Sequence, residues 1–181
     1  MGLDMYLSKK TYVKQWSFQT PEEQFQVEVK KGGEPVTSIK PERVSYVTEQ
    51  VGYWRKFNAL HNWFVENCQG GVDECQESYV DREKLEELVV TLHQVKNILE
   101  TSPKKKVQVE NGWSNGEKTF CEIEIVEDTT TLDELFPTTP GFFFGGTEYD
   151  MYYQEQVNET IELIENLLKE EGGEYSYQSS W

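Results

Sequence analysis

The strongest constraint in this sequence is a helical stripe of aliphatic residues between positions 81 and 101. Its members recur at the three- and four-residue spacing of one α-helix face, namely Leu85, Leu88, Val89, Leu92, Val95 and Leu99. Asp81 is a favourable N-cap residue, and Pro103 lies just beyond the end of the pattern. The stripe predicts a helix over residues 81–101 whose aliphatic face belongs to the core.

Strand-like alternation occupies much of the remaining chain. One strand begins almost at the N-terminus, one hairpin turns at residues 31–34, and a second hairpin turns at the two Asn-Gly pairs of residues 111–116. Two further helical patterns run near residues 53–68 and 148–170. Because the two periods mix without repeating βαβ units, we predict an α+β fold: an antiparallel sheet of two hairpins plus the N-terminal strand, packed with about three helices.

Length and composition are those of one folded domain. The chain has 181 residues, of which 36% are hydrophobic and 13% aromatic. We expect a single domain over residues 1–173, followed by a polar aromatic C-terminal tail over residues 174–181. No apolar run approaches the length of a membrane span and no charged-then-apolar leader is present, so a soluble, cytoplasmic protein without membrane contact is expected.

The net charge of −16 is unevenly distributed. Residues 1–106 hold 15 Lys/Arg and 16 Asp/Glu, whereas residues 107–181 hold 2 and 17. Duplex nucleic acid is an unfavourable partner for such a chain, because binding it depends on neutralising phosphates. The near-neutral first part can still hold a local basic pocket.

Neither a disulfide framework nor a metal site is predicted. The three cysteines, Cys68, Cys75 and Cys121, are odd in number and far apart, which favours reduced thiols. The two histidines, His61 and His93, lie on different predicted helices, so they do not form a ligand pair. No metal or other cofactor is expected.

The densest set of recognition side chains lies in the stretch YWRKFNALHNW, residues 53–63. It holds seven candidate ligand-binding residues, Tyr53, Trp54, Arg55, Lys56, Asn58, His61 and Asn62. In a nucleotide site the aromatic rings would stack on a base, the cationic side chains would hold phosphates, and the carboxamides would read base or ribose edges. An amphipathic helix with an ordinary core face explains the same stretch equally well.

A second unusual segment is GFFFGGT, residues 141–147. Three consecutive phenylalanines cannot all face one way in a regular element, so at least one ring should be displayed to a groove, an interface or a ligand. The glycine turn that follows precedes a predicted helix, where an anion is favoured, although such turns are commoner as simple connections and this one is not a P-loop. Four residues from this segment complete the candidate site: Phe143, Gly145, Gly146 and Thr147.

Three motifs occur in order along the chain: MGLDMYL, YWRKFNALHNWFVEN and GFFFGGTEYD. Together they resemble a family of small proteins of unassigned activity that bacteriophages and prophages encode. The resemblance spans nearly the whole chain. It implies a viral accessory protein that acts in the cytoplasm of a bacterial host, and it implies no particular enzymatic activity.

Two functions compete on these observations. In the first, the protein binds and sequesters a small anionic nucleotide signal of bacterial antiphage defence, as a homo-oligomer with the phenylalanine segment or the aromatic tail at the interface. In the second, its acidic last third imitates nucleic acid and inhibits a host defence protein, such as a restriction or CRISPR nuclease. A hydrolase that uses paired carboxylates is a third possibility, but no pair is singled out among so many acidic residues.

Overall fold

A four-stranded antiparallel sheet forms the centre of the computed structural model, which describes residues 2–114 and 116–181. In chain order its strands are β1 (Asp4–Tyr12), β4 (Tyr46–Arg55), β5 (Ser78–Val80) and β8 (Glu174–Ser180). Their order in the sheet is β4-β1-β8-β5, and every neighbouring pair is antiparallel. With the helices described below, this sheet confirms the α+β class.

The predicted composition of the sheet was wrong, because neither hairpin belongs to it. β2 (Lys30–Lys31) pairs only with β3 (Glu34–Pro35), and β6 (Lys104–Ser114) pairs only with β7 (Glu117–Val126). Both hairpins form separate two-stranded sheets. Alternation along a strand identifies a half-buried ribbon, but it does not specify the distant partner that the ribbon joins.

The predicted C-terminal tail is also corrected. Residues 174–180 form β8, which lies between β1 and β5 in the middle of the central sheet. Tyr175, Tyr177 and Ser179 are buried and alternate with more exposed neighbours. The segment looks polar in the sequence because only one face of this strand enters the core.

The described structure also has two short 3-10 helices, Pro21–Glu23 and Pro41–Arg43, and four α-helices: α1 (Asn58–Cys68), α2 (Arg82–Thr101), α3 (Thr130–Leu135) and α4 (Met151–Leu167). The aliphatic stripe of α2 is buried as predicted, with Leu85, Leu88, Leu92, Val95 and Leu99 all in the core. α2 packs against α4, whose Val157 and Ile164 are fully buried. None of the helices in the described parts of the chain is long and apolar enough to cross a membrane.

The helix predicted over residues 53–68 begins only at Asn58. Residues 53–55 instead end strand β4, where they pair with β1. Lys56 has a left-handed backbone with φ of 59°, and Phe57 is not helical either, so these two residues turn the chain from strand to helix. Long-range pairing with the N-terminal strand thus overrides the local helical pattern.

Candidate functional site

Backbone hydrogen bonds bring all three sequence motifs together at the junction between β4 and α1. The Leu3 N–H donates to the Phe143 carbonyl at 3.0 Å, and the Leu3 carbonyl accepts from the Lys56 N–H at 2.8 Å. The start of the chain therefore lies between the strand-to-helix turn and the phenylalanine segment. Several predicted site residues that are far apart in the sequence become neighbours in this way.

Alternation along β4 separates the first three predicted site residues. Trp54 is 6% exposed, and its indole N–H donates to the Thr160 hydroxyl at 2.9 Å, so it belongs to the core and is not available to stack on a ligand. Tyr53 lies on the opposite, exposed side of the strand, where its hydroxyl donates to Asp4. That hydrogen bond raises the pKa of Tyr53. Trp54 is therefore withdrawn as a ligand contact, because a strand turns successive side chains to opposite faces.

His61 is likewise a structural residue and not a phosphate ligand. It is 2% exposed and both ring nitrogens are engaged, Nδ1 with the Tyr177 hydroxyl at 2.8 Å and Nε2 with Asp73 Oδ2 at 2.9 Å. A carboxylate only accepts, so the Nε2–H group donates to Asp73, and Nδ1 shares a hydrogen bond with the Tyr177 hydroxyl. Burial raises the pKa of Tyr177, which keeps its hydroxyl protonated for this role. Both nitrogens of this buried ring are thus satisfied inside the fold.

Asn58 positions the phenylalanine segment. Its amide nitrogen donates to the carbonyls of Phe144 at 3.1 Å and Gly146 at 2.7 Å, and its amide oxygen accepts from the Thr139 N–H at 2.9 Å. Three hydrogen bonds from one buried carboxamide fix this loop against the start of α1. Asn58 is therefore a positioning residue here, in place of the predicted reader of base edges. Asn62 is half-buried and does not line the cleft described below.

The phenylalanine segment displays one ring, as predicted, but that ring is Phe142 and not Phe143. Phe142 is 97% exposed, whereas Phe143 and Phe144 are half-buried. The Phe144 ring packs edge-on against His61 and against Trp181, whose indole N–H donates to Asp73 at 3.3 Å. Thr147 accepts a hydrogen bond through its carbonyl from Thr138 and lies outside the cleft.

A cleft of about 710 Å³ lies between the β4–α1 junction, the β6–β7 hairpin and the start of α4. Five predicted site residues line it: Arg55, Lys56, Asn58, Gly145 and Gly146. The apolar part of the wall consists of Phe57, Val109, Ile123, Tyr152 and Tyr153. Its volume falls in the range of small-molecule and peptide side-chain pockets.

Carboxylates outnumber cations in this cleft. Five acidic residues line it, Glu110, Glu148, Asp150, Glu155 and Glu159, against Arg55 and Lys56. Asp150 accepts from the Tyr153 N–H as the N-cap of α4, and Glu110 pairs with Lys118. Glu148, Glu155 and Glu159 form no ion pair within the described residues. The cleft therefore favours a cationic ligand and disfavours an anionic one.

An acidic stripe continues from the cleft along α4. Glu155, Glu159 and Glu162 follow the four- and three-residue spacing of one helix face and are exposed. Residues 119–168 contain 12 Asp/Glu and no Lys or Arg. This uninterrupted acidic run was the signal in the sequence for the stripe, although only the helix geometry aligns the three glutamates.

The lysine at the mouth of the cleft occupies a backbone conformation that favours glycine. Lys56 has φ of 59°, and Gly145 lies so close that a Cβ atom there would sit 3.0 Å from the Lys56 Cβ. Gly145 itself has φ of 91°. A side chain at Gly145 would therefore collide with Lys56 and strain its own backbone.

The described residues contain no group of three or more His, Cys, Asp or Glu arranged to hold a metal ion. The three cysteines are free thiols, as predicted. Burial raises the pKa of Cys68 to about 11, so this thiol stays protonated at neutral pH and is a poor nucleophile.

The described structure is thus an α+β fold with a cleft in which carboxylates outnumber cations. Comparisons of the chain with protein families, curated proteins and solved structures found no match. The resemblance to bacteriophage proteins accordingly stays a prediction from the three motifs.

Proposed function

We propose that the acidic cleft and the acidic stripe bind a basic segment of a host protein, and that they compete with nucleic acid for it. The observation that carries this proposal is the lack of ion-pair partners for Glu155, Glu159 and Glu162 in the described structure. Like charges at four-residue spacing destabilise a helix. A local feature that opposes folding is typical of a functional surface.

The chemistry of the cleft suits arginine in particular. A guanidinium can form paired hydrogen bonds with a carboxylate such as Glu155 or Glu159 and can stack on an aromatic ring such as Tyr152. Surfaces that bind nucleic acid are rich in arginine and lysine, because they neutralise phosphates. Under the bacteriophage resemblance, the partner would be a host nuclease whose basic groove the protein occupies.

The test is a fluorescence anisotropy titration with a labelled nona-arginine peptide. The stripe variant replaces Glu155, Glu159 and Glu162 by Gln. The control variant replaces three carboxylates that are already paired with lysines on other surfaces, Glu87, Glu100 and Glu122. Both variants change the net charge equally, so only a local site distinguishes them.

We expect the stripe variant to lose at least about 10-fold in affinity, since several charge-assisted contacts are removed, whereas the control variant stays near wild type. The wild-type protein should also release the peptide from a duplex oligonucleotide. Equal losses in the two variants would indicate only a general attraction between a polyanion and a polycation, and would overturn the proposal.

A second candidate function is the sequestration of a small anionic nucleotide. One observation favours it: Arg55, Lys56 and the backbone of Gly145 and Gly146 meet at one end of the same cleft. Arg55 is exposed, and its one ion-pair partner in the described structure is Asp4 at 3.9 Å, so its guanidinium is accessible to a phosphate. The corrected roles of Trp54 and His61 leave this site without the predicted base-stacking and histidine contacts.

Calorimetric titration with cyclic dinucleotides and ADP-ribose derivatives tests the second candidate. Replacing Arg55 by Ala should reduce nucleotide affinity by about 30-fold to 1,000-fold, because it removes a contact worth roughly 2–4 kcal/mol in a pocket. The melting temperature should hardly change, since Arg55 is exposed. A wild-type protein that binds no compound in this panel and retains no small molecule from lysate would exclude this function.

A further inference from the structure

One edge of the central sheet is free. β4 pairs with β1 on one side and is the last strand of the sheet on the other. Among the described residues, the only hydrogen bond to that outer edge comes from Gln156, which donates to the Arg55 carbonyl at 3.2 Å. From Tyr46 to Trp54 the outer side therefore offers unpaired backbone donors and acceptors.

This edge has few of the features that keep edge strands from pairing. Between Tyr46 and Trp54 it has one charged residue, Glu49, and it contains neither lysine nor proline. Valine, threonine and aromatic residues dominate it, and these favour strand pairing. A long, weakly charged edge of this kind is a template for another strand.

The segment that leads into β4 is not buried by the rest of its own chain. Residues 14–45, which connect β1 to β4, contain no buried residue. They nevertheless carry large apolar side chains, of which Trp16, Phe18, Phe25 and Ile39 are exposed. Tyr12, Trp16 and Tyr46 form an exposed aromatic group at the base of this segment, linked by ring packing and by a 3.0 Å hydrogen bond from Trp16 to Tyr12. Ordering so many residues without burial is costly, so a covering surface is expected.

The charge distribution identifies a second copy of the chain as that surface. Residues 9–50 hold 7 Lys/Arg and 6 Asp/Glu, a net charge of +1, whereas the rest of the chain holds 10 and 27, a net charge of −17. Two such molecules repel each other through their acidic bodies. Contact through residues 9–50 avoids this repulsion and can turn it into attraction.

We propose that β4 pairs antiparallel with β4 of a second copy, so that two four-stranded sheets join into one sheet of eight strands. An antiparallel strand pair about a two-fold axis places the Tyr46 end of one copy beside the Arg55 end of the other. The ten residues of β4 span about 33 Å, so the acidic bodies are held apart. Each body then lies beside the lysine-bearing, aromatic segment of its partner.

This interface differs from the one expected from the sequence. The former tail is the interior strand β8, and Trp181 packs against Phe144 of its own chain. The tail and Trp181 are therefore not free for the predicted interface, whereas Phe142 of the phenylalanine segment remains exposed. The two proposals share Arg55, which ends β4 and also lines the cleft, but separate variants test them, so failure of one leaves the other intact.

Sedimentation velocity at micromolar concentration tests the pairing. The wild-type protein should sediment at twice the chain mass of 21.2 kDa. Val47→Lys places a charge on the β4 edge and should give a monomer. Val90→Lys makes the same chemical change at an exposed position of α2 and should leave the dimer intact.

Hydrogen exchange of the wild-type protein provides a second measurement, which decides the matter if Val47→Lys fails to fold. Amides of residues 46–50 should exchange more slowly as the protein concentration rises through the dimerisation range, while those of α2 should not change. A monomeric wild type, two lysine variants that dimerise alike, or β4 amides insensitive to concentration would each overturn the proposal.

Discussion

At the scale of single residues, His61 connects three parts of the fold that are distant in the sequence. It lies on α1, it shares a hydrogen bond with the Tyr177 hydroxyl in β8, and it donates to Asp73 in the loop after α1. Phe144 packs on its ring from the phenylalanine segment. Removing the imidazole leaves a buried hydroxyl without its hydrogen-bond partner and a carboxylate without its donor, and it opens a cavity.

We therefore predict that His61→Ala destabilises the protein by about 2–4 kcal/mol. His93→Ala provides the matched control, since His93 is half exposed and meets only Glu165 on the surface. Its loss should cost less than about 1 kcal/mol. Urea denaturation of both variants measures the difference. Equal stabilities would mean that His61 does not tie these segments together, and its role as a ligand would reopen.

For Lys56 we predict only a small change in stability, in contrast to His61. The left-handed backbone of Lys56 costs about 1 kcal/mol of folding free energy for a residue other than glycine. Glycine avoids that cost, but it raises the conformational entropy of the unfolded chain, which lowers the unfolding free energy by a similar amount. Lys56→Gly should therefore change the unfolding free energy by less than about 1 kcal/mol. Asn58→Ala, which removes three buried hydrogen bonds, should cost about 2–3 kcal/mol by the same denaturation measurement.

Binding to Lys56→Gly distinguishes the two proposed functions by sign. The variant removes one of two cations from a cleft that holds five carboxylates. Affinity for an arginine-rich peptide should rise about 2-fold to 5-fold, while affinity for a nucleotide should fall. A weaker peptide complex would show that Lys56 itself contacts the partner.

Residue types in the motif were identifiable from the sequence, but their exposure was not. Trp54 and His61 are residue types that often contact ligands. In this fold they are buried, and each forms a hydrogen bond with a core partner, Thr160 or Tyr177. Those partners lie 106 and 116 residues away in the chain. Four of the predicted site residues do line one cleft, namely Arg55, Lys56, Gly145 and Gly146. They lie at the ends of segments, where local turn signals in the sequence are informative.

At the scale of elements, β8 joins two parts of the molecule. It pairs with β1 over Asp4–Lys10 and with β5 over Ser78–Val80, and β5 has no other strand partner in the described structure. Its inward side chains include Tyr175 and Tyr177, which stack on or contact the helices; the Tyr177 ring lies 4.0 Å from that of Phe64. An interior strand with two buried aromatic rings contributes far more to the stability of the fold than an exposed tail could.

Deletion of residues 174–181 should therefore abolish cooperative thermal unfolding. The truncated chain loses a strand from the middle of the sheet and exposes the aromatic face beneath it. Deleting Trp181 alone is the control, because it removes one indole hydrogen bond and one ring contact from the edge of the core. Near-ultraviolet circular dichroism during heating measures both. A truncated protein that melts like the full chain would restore the interpretation of this segment as a tail.

Helices were more predictable than sheet partners for a physical reason. The stripe of α2 is complete within 20 residues, so local periodicity specifies both the helix and its buried face. The last residues of β4, Tyr53–Arg55, were assigned to a helix because they match that periodicity, while the hydrogen-bond partner β1 lies at the other end of a 33-residue connection, residues 13–45. Element type is local information, whereas pairing is not.

At the scale of the whole molecule, the net charge of −16 destabilises the folded state by self-repulsion and attracts positively charged partners. Some carboxylates are paired with nearby cations, for example Glu87 with Lys84 and Glu122 with Lys106. The stripe of α4 is not balanced in this way. Its three glutamates repel one another in the folded state, and the repulsion relaxes when the chain unfolds or when a basic partner binds.

Stability and binding should consequently respond in opposite directions when the stripe is neutralised. We predict that Glu155→Gln, Glu159→Gln and Glu162→Gln together raise the melting temperature by about 2–4 °C, since two unfavourable charge pairs are removed from one helix face. The same variant should bind the arginine peptide more weakly. The control variant at Glu87, Glu100 and Glu122 carries the same net charge but loses three ion pairs, so its melting temperature should stay level or fall. Differential scanning calorimetry at low and at moderate salt completes the test, because screening should narrow the gap between wild type and the stripe variant. If both variants melted at the same raised temperature, the total charge of the protein and not the α4 stripe would limit its stability. The proposal that the acidic stripe is a binding surface would then be contradicted.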